Sequence, residues 1–418
     1  MKLLKVIFEN APLFEEKIEI DFFSEGRVNA NEKHELIHLF KNFYANRTMT
    51  FTGLNAAGKT QVLNMLVVAL NIIQAKSINK RPISVFSSFE SGNILHLNND
   101  EEVRFTIYFY TEVDGVKKIN RLESVISRNY DETESEYRYF FVSEVLLTKE
   151  VRGIRSKRDI FDFSSEKSLS KLERNQNDQS IIGLSHDVSI INILINSKKV
   201  EKLYCRDMLG FTNFNVLSRL GNIPSELLSY LDPSIEKLDF IRSEESKTIR
   251  VSLKFVDQSD SIELESVSEL HNILSSGTVK GIGLFIEAFQ ILRYGGVILV
   301  DELENHFNRE IVSTFINLFL NRKTNPNGAI LVYSTHYSEL LDLISRNDSI
   351  YLVSKAKYIS LEKFSSKIKR KDLSLGDIFI KGLIGNTTPK YSSEESLKKV
   401  FNEKFLTPKA GQHHDKSL

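Results

Sequence analysis

Gly53-Leu-Asn-Ala-Ala-Gly58-Lys59-Thr60 decides how the rest of the chain is read. It satisfies G-x-x-x-x-G-K-[ST] in full, with a β-rich run, Arg47–Thr52, before it and a helical stretch after it. The two glycines, Gly53 and Gly58, let the backbone wrap around a phosphate. Asn55, Ala56 and Ala57 carry the loop between them, and backbone N–H groups at the following helix N-terminus point at the anion. Lys59 is placed to reach the β- and γ-phosphates, and the Thr60 hydroxyl to ligate Mg²⁺. Chance supplies such a match in roughly 1–2% of chains of this length at average composition, and the strand–loop–helix context lowers that further.

Three more signals lie C-terminal to this loop. Val297-Ile-Leu-Val300-Asp301-Glu302 is an apolar strand ending in two acids. At that position Asp301 would hold the Mg²⁺ shell and Glu302 would polarise an attacking water. An apolar run ending in Asp-Glu is by itself a plain strand end, and the loop at 53–60 gives it weight. Ser334-Thr335-His336 follows the next apolar strand, which sets His336 beside the terminal phosphate and within reach of Glu302. Leu274-Ser275-Ser276-Gly277-Thr278 directly precedes a helix. Ser275, Ser276 and Gly277 there form either an ordinary N-cap or an anion site of backbone N–H groups.

Taken in order, loop, Ser-Ser-Gly, Asp-Glu and His resemble the ABC-type ATPases. More narrowly, GLNAAGKT, LSSGT, VILVDELEN and YSTHYSELLD look like the stand-alone branch related to the ATPase of overcoming-lysogenization-defect nucleases, RecF and SMC proteins. The resemblance covers roughly residues 1–110 and 250–385. It implies an α/β fold, an ABC-type P-loop ATPase head with a mixed β-sheet, with ATP and Mg²⁺ as cofactors. In such ATPases the Ser-Ser-Gly segment of one subunit closes over ATP on the other, so the resemblance implies a homodimer when ATP is bound. Many members serve bacterial anti-phage or abortive-infection systems, which implies a separate effector protein and a phage-derived trigger. RecF-like DNA maintenance is the alternative. Family members often carry a His after the Glu-x-Glu-Asn stretch; the chain reads Asn305-His306-Phe307-Asn308 there, and His306 is assigned no catalytic role. A Q-loop glutamine is not placed, since Gln61 lies inside the helix after the loop.

The flanking sequence divides the chain into an N-terminal part of the head at 1–147, an inserted, mainly helical lobe at 148–245, the C-terminal part of the head at 246–406, and a disordered tail at 407–418. Strands are expected at 2–8, 17–23, 102–110, 122–127, 140–147, 249–256, 261–266, 296–300, 328–333, 348–353 and 358–364. The segment 25–46 reads as a loop or short helix. The stretch from Thr60 to about Lys76 is apolar nearly all round, which predicts a buried helix. Short helices are expected near 187–196 and 223–231.

Composition sets limits on function. Lys+Arg and Asp+Glu are both 55, so no global field draws nucleic acid or an anionic membrane. A local basic run at Lys149, Arg152, Arg155, Lys157 and Arg158 keeps DNA open. One cysteine, Cys205, excludes a disulfide framework and fits a cytoplasmic protein. No apolar run reaches the ~18 residues that a membrane span needs. Sustained heptads for SMC-type arms are absent, and the part after His336 lacks the spaced acids of a nuclease domain.

Overall fold

The computed structural model describes residues 1–26, 28–79, 94–132, 135–164, 169–174, 183–209, 223–242, 249–368, 374–382 and 391–401. The expected tail at 407–418 lies outside them. The fold is mixed α/β, with two six-stranded sheets and two smaller ones.

The central sheet contains β5 (Thr48–Thr52), β10 (Cys205–Asp207), β14 (Val297–Val300), β15 (Ile330–Thr335), β16 (Ile350–Lys355) and β17 (Ile359–Lys363), in the order β10-β14-β15-β5-β16-β17. All neighbours run parallel except the β16–β17 hairpin. The parallel strands are short and apolar because both faces are covered. Alternate residues of β14 divide between two cores: Val297 and Leu299 join one, Ile298 and Val300 the other.

On the first face lies α1 (Lys59–Ile73), with 13 of its 15 residues buried. Its all-round apolar sequence has a physical cause, since a second sheet covers its outer side. That sheet is antiparallel, built from β1 (Lys2–Glu9), β2 (Lys17–Asp21), β6 (Glu102–Val113), β7 (Val116–Asp131), β8 (Glu136–Glu150) and β9 (Ser170–Glu173), in the order β2-β1-β6-β7-β8-β9. Leu4, Val6, Phe105 and Ile107 from this sheet share a core with Val62, Leu66 and Ile73 of α1. Helices α5 (Ser276–Tyr294) and α6 (Arg309–Leu320) cover the opposite face of the central sheet, through Ile282, Phe285, Phe315 and Phe319. Lys2 ties the layers together: its Nζ donates to the carbonyls of Gly295, Asn327 and Gly328 at 3.0, 2.6 and 2.7 Å.

Two expectations differ from the structure. The segment 25–46 contains a 3₁₀ turn at Ala30–Glu35 and then a β-hairpin of β3 (Leu36–Phe40) and β4 (Phe43–Asn46). Its apolar positions Leu36, Ile37, Leu39 and Phe40 are buried, so tertiary packing outweighs the polar average of the segment. The stretch 148–245 is not mainly helical in its described residues. It does hold short helices, α2 (Lys157–Phe161), α3 (Ile191–Asn196) and α4 (Ser225–Leu231), the last two near their expected places. It also holds the end of β8, all of β9 and β10, and β11 (Ile235–Arg242).

β9, β10 and β11 are edge strands, each paired with a strand lying wholly or mostly outside 148–245, a pairing that local pattern cannot reveal. β9 extends the antiparallel sheet beside β8, held by a buried ion pair of Arg174 with Glu144 at 2.7 Å. β10 forms the outer edge of the central sheet, where Gly296 runs against the Tyr204 carbonyl so closely that a Cβ would lie 1.8 Å from that oxygen. β11 pairs antiparallel with β12 (Ile249–Phe255), which pairs with β13 (Ile262–Leu264). No helix among the described residues is long and apolar enough to cross a membrane.

Candidate functional site

The loop between β5 and α1 is shaped by its glycines. Gly53 has φ +155° and Gly58 φ +98°, with Ala56 also left-handed at +61°. A Cβ on Gly53 would lie 2.2 Å from the Val353 carbonyl oxygen, and one on Gly58 2.5 Å from Ile359 Cδ1. Both glycines are therefore needed for backbone conformation and for the approach of β16 and β17.

The loop turns inward at Lys59. Its Nζ donates to the carbonyls of Gly53 and Leu54 at 3.1 and 3.0 Å and lies 3.3 Å from His336 Nδ1. Burial pushes the Lys59 ammonium below its ordinary pKa, and the carboxylates of Glu302, Asp301 and Glu304 oppose that shift.

The acids at the end of β14 meet this loop directly. Thr60 Oγ1 donates to Asp301 Oδ2 at 2.6 Å, joining residues 241 apart in sequence. The Ser334 hydroxyl donates to Asp301 Oδ1 and accepts from the Glu302 N–H at 2.7 Å. Glu302 takes a left-handed φ of +47°, which turns the chain out of the strand and into the cleft. There its Oε1 lies 3.2 Å from His336 Nε2. One tautomer serves both contacts of the ring. Nδ1 accepts from Lys59, and Nε2–H donates to Glu302. Lys59, His336 and Glu302 thus form a continuous hydrogen-bonded chain.

These groups face a cleft of about 1060 Å³, walled by Asn55–Thr60, Glu302, Glu304, His306 and His336. The residues fit a polyphosphate with a divalent cation. Thr60 and Asp301 supply hard oxygens of the kind Mg²⁺ takes together with phosphate oxygens and water. The N-terminus of α1 and Lys59 supply positive potential for the anion. Glu304, 7% exposed, has an Oε2 with no hydrogen-bond partner among the described residues.

The structure therefore brings together Gly53, Asn55, Ala56, Ala57, Gly58, Lys59, Thr60, Asp301, Glu302 and His336. It places Ser275, Ser276 and Gly277 elsewhere. Ser275 caps α5, accepting from the Thr278 N–H at 3.0 Å. Ser275 and Ser276 are exposed, and none of the three lines the cleft. Their link to it is His306, whose Nδ1 lies 3.3 Å from Ser276 Oγ. Its carbonyl would be 2.6 Å from a Cβ on Gly277. Gln61 also faces the cleft, with its Oε1 3.3 Å from His96 Nε2.

Sequence reasoning did not assign Ser334 and Glu304 to the site. Ser334 orients both strand-end acids, and Glu304 accepts from the His336 N–H at 2.6 Å. Both lie inside quoted motifs, so a signal existed. It lay in the parallel pairing of β14 with β15, which sets the two strand ends side by side.

No protein-family model matches the chain, and no curated protein sequence matches it. Among solved structures, the chain is similar to one described as "Crystal structure of the SmcHead bound to the C-winged helix domain of ScpA". The TM-score is 0.40 at 14% identity, covering 88% of this chain and 100% of that one. So weak a likeness leaves the chemistry of the site to its own geometry.

Proposed function

We propose that the protein is an ATPase switch, binding ATP with Mg²⁺, hydrolysing it slowly and pairing with a second copy around the nucleotide. The observation that carries this reading is the 2.6 Å contact of Thr60 with Asp301, with Lys59, Glu302 and His336 beside it. Bound Mg²⁺-ATP would supply the electrophilic terminal phosphate and the charge that draws the oxygens together. Lys59 would leave the Gly53 and Leu54 carbonyls to bind phosphate oxygens. Glu302 would orient and polarise a water, while His336 donates its Nε2 proton toward charge on either side.

Homodimerisation is supported by the exposure of Ser275 and Ser276 outside their own cleft, where the N-terminus of a 19-residue helix is free to meet another chain's phosphate. Mixing Lys59→Ala with Ser276→Arg is expected to restore turnover, up to about half of wild type per mixed pair, because each chain supplies what the other lacks. Phosphate release from the mixture after subunit exchange measures this; a mixture as inactive as either parent would remove Ser276 from the partner's site.

We further propose that ATP-driven closure regulates a separate effector in bacterial anti-phage defence. What supports this is the resemblance of the motifs. Two cations of the basic run that keeps DNA open are already engaged: Lys149 donates to the carbonyls of Asp159 and Asp162, and Lys157 pairs with Asp21 at 3.1 Å. Cells carrying the gene with its chromosomal neighbour are expected to resist phage and to lose that resistance with Lys59→Ala. Undiminished plaque reduction by the variant would separate ATP from any defence role.

A further inference from the structure

Glu304 is the least accessible carboxylate of the cleft, and its two oxygens differ. Oε1 accepts the His336 N–H at 2.6 Å, across the gap between the ends of β14 and β15. Oε2 is buried without a partner among the described residues. A carboxylate buried this way costs free energy unless something nearby uses it. The backbone fixes it from both sides. The Leu303 N–H donates to the Ser334 carbonyl at 3.1 Å, and the Phe307 N–H donates to the Glu304 carbonyl at 3.0 Å. Glu304 is therefore held where β14 leaves the sheet, under the segment that carries His336.

His336 needs such a fixture. It follows the last residue of β15 and lies beyond the reach of the sheet's ladder. The imidazole has two duties, Lys59 at 3.3 Å and Glu302 at 3.2 Å, and these fail together if the backbone at residue 336 swings. Among the described residues, the Glu304 carboxylate is what the His336 N–H donates to.

We infer that Glu304 is a positioning residue: its Oε1 locks the backbone of His336 so that the imidazole bridges Lys59 and Glu302. This rests on the proposed ATPase reading. It adds a second role for the acids after β14. Asp301 and Glu302 would serve the cation and the water, and Glu304 sets the histidine.

The test compares Glu304→Ala and Glu304→Gln with wild type in steady-state ATP hydrolysis, nucleotide calorimetry and amide hydrogen exchange, after melting curves show all three folded. The Gln carbonyl can still accept from the His336 N–H. Glu304→Ala is expected to lower kcat by about 30-fold, with KM and nucleotide affinity within about threefold, because alignment is lost and binding is not. Glu304→Gln is expected to keep at least about a third of wild-type kcat. Exchange at the His336 amide should be slow in wild type and Glu304→Gln and fast in Glu304→Ala. Wild-type kcat in Glu304→Ala, or a Gln variant as impaired as Ala while its His336 amide stays protected, overturns the inference. If the Ala variant does not fold, Gln alone decides, by its kcat and its amide protection. If wild type hydrolyses no ATP, the ATPase reading fails instead, and the exchange measurement still decides whether Glu304 holds His336.

Discussion

Lys59→Ala is expected to abolish nucleotide binding while leaving the protein folded. The ammonium sits at the centre of the loop, bonded to the carbonyls of Gly53 and Leu54 and beside His336. It is the cation poised over the place where the N-terminus of α1 opens into the cleft. Each charge-assisted hydrogen bond it would give a phosphate contributes about 1.5–3 kcal/mol, so losing two weakens binding by at least ~100-fold. The fold should tolerate the change. Alanine removes an ammonium whose burial is unfavourable, at the cost of its bonds to the Gly53 and Leu54 carbonyls. Calorimetry with ATP and Mg²⁺ measures the affinity and a melting curve measures the fold. Equal ATP affinity for the two proteins sinks the assignment of this loop, whatever the turnover shows.

The loop was legible in the sequence because its chemistry is local. A phosphate cradle needs glycine where the backbone turns left-handed, and Gly58 at φ +98° occupies such a position. The buried helix that follows was legible for the same reason, since twelve consecutive buried residues, Val62–Ile73, leave little polar surface to mislead. Asp301, Glu302 and His336 were readable only as strand ends, and parallel pairing of β14, β15 and β5 brings them to one edge. Long-range partners were not legible. β10 sits beside β14, some ninety residues later in sequence, through three residues only, Cys205–Asp207. Glu304 reads as one more acid in a polar stretch until the His336 N–H is seen 2.6 Å away. The expectation that 148–245 is mainly helical fails among its described residues for the same cause. Its strands are stabilised by sheet edges supplied from elsewhere, and Ser- and Lys-rich composition says nothing about an edge.

Glu302→Gln is expected to bind ATP about as well as wild type, to lose at least ~100-fold in turnover, and to accumulate as ATP-bound dimers. Glutamine preserves the length of the side chain, so the left-handed turn at residue 302 and the bond from its N–H to Ser334 persist. What disappears is the carboxylate. An amide oxygen still accepts the His336 Nε2–H now 3.2 Å from Glu302 Oε1, yet it is too weak a base to polarise water. Binding should survive, because the groups proposed to hold phosphate and cation, Lys59, Thr60 and Asp301, are untouched. Two observables separate the alternatives. Light scattering with and without ATP gives the mass, and small-angle scattering gives the shape. An ATP-dependent doubling of mass supports a nucleotide-bridged pair. If the protein is already dimeric through another surface, mass stays constant and only the shape changes with ATP. Neither change, in a variant that calorimetry shows to be loaded with ATP, removes the shared-site dimer, and Ser276 would then be no more than part of a helix cap.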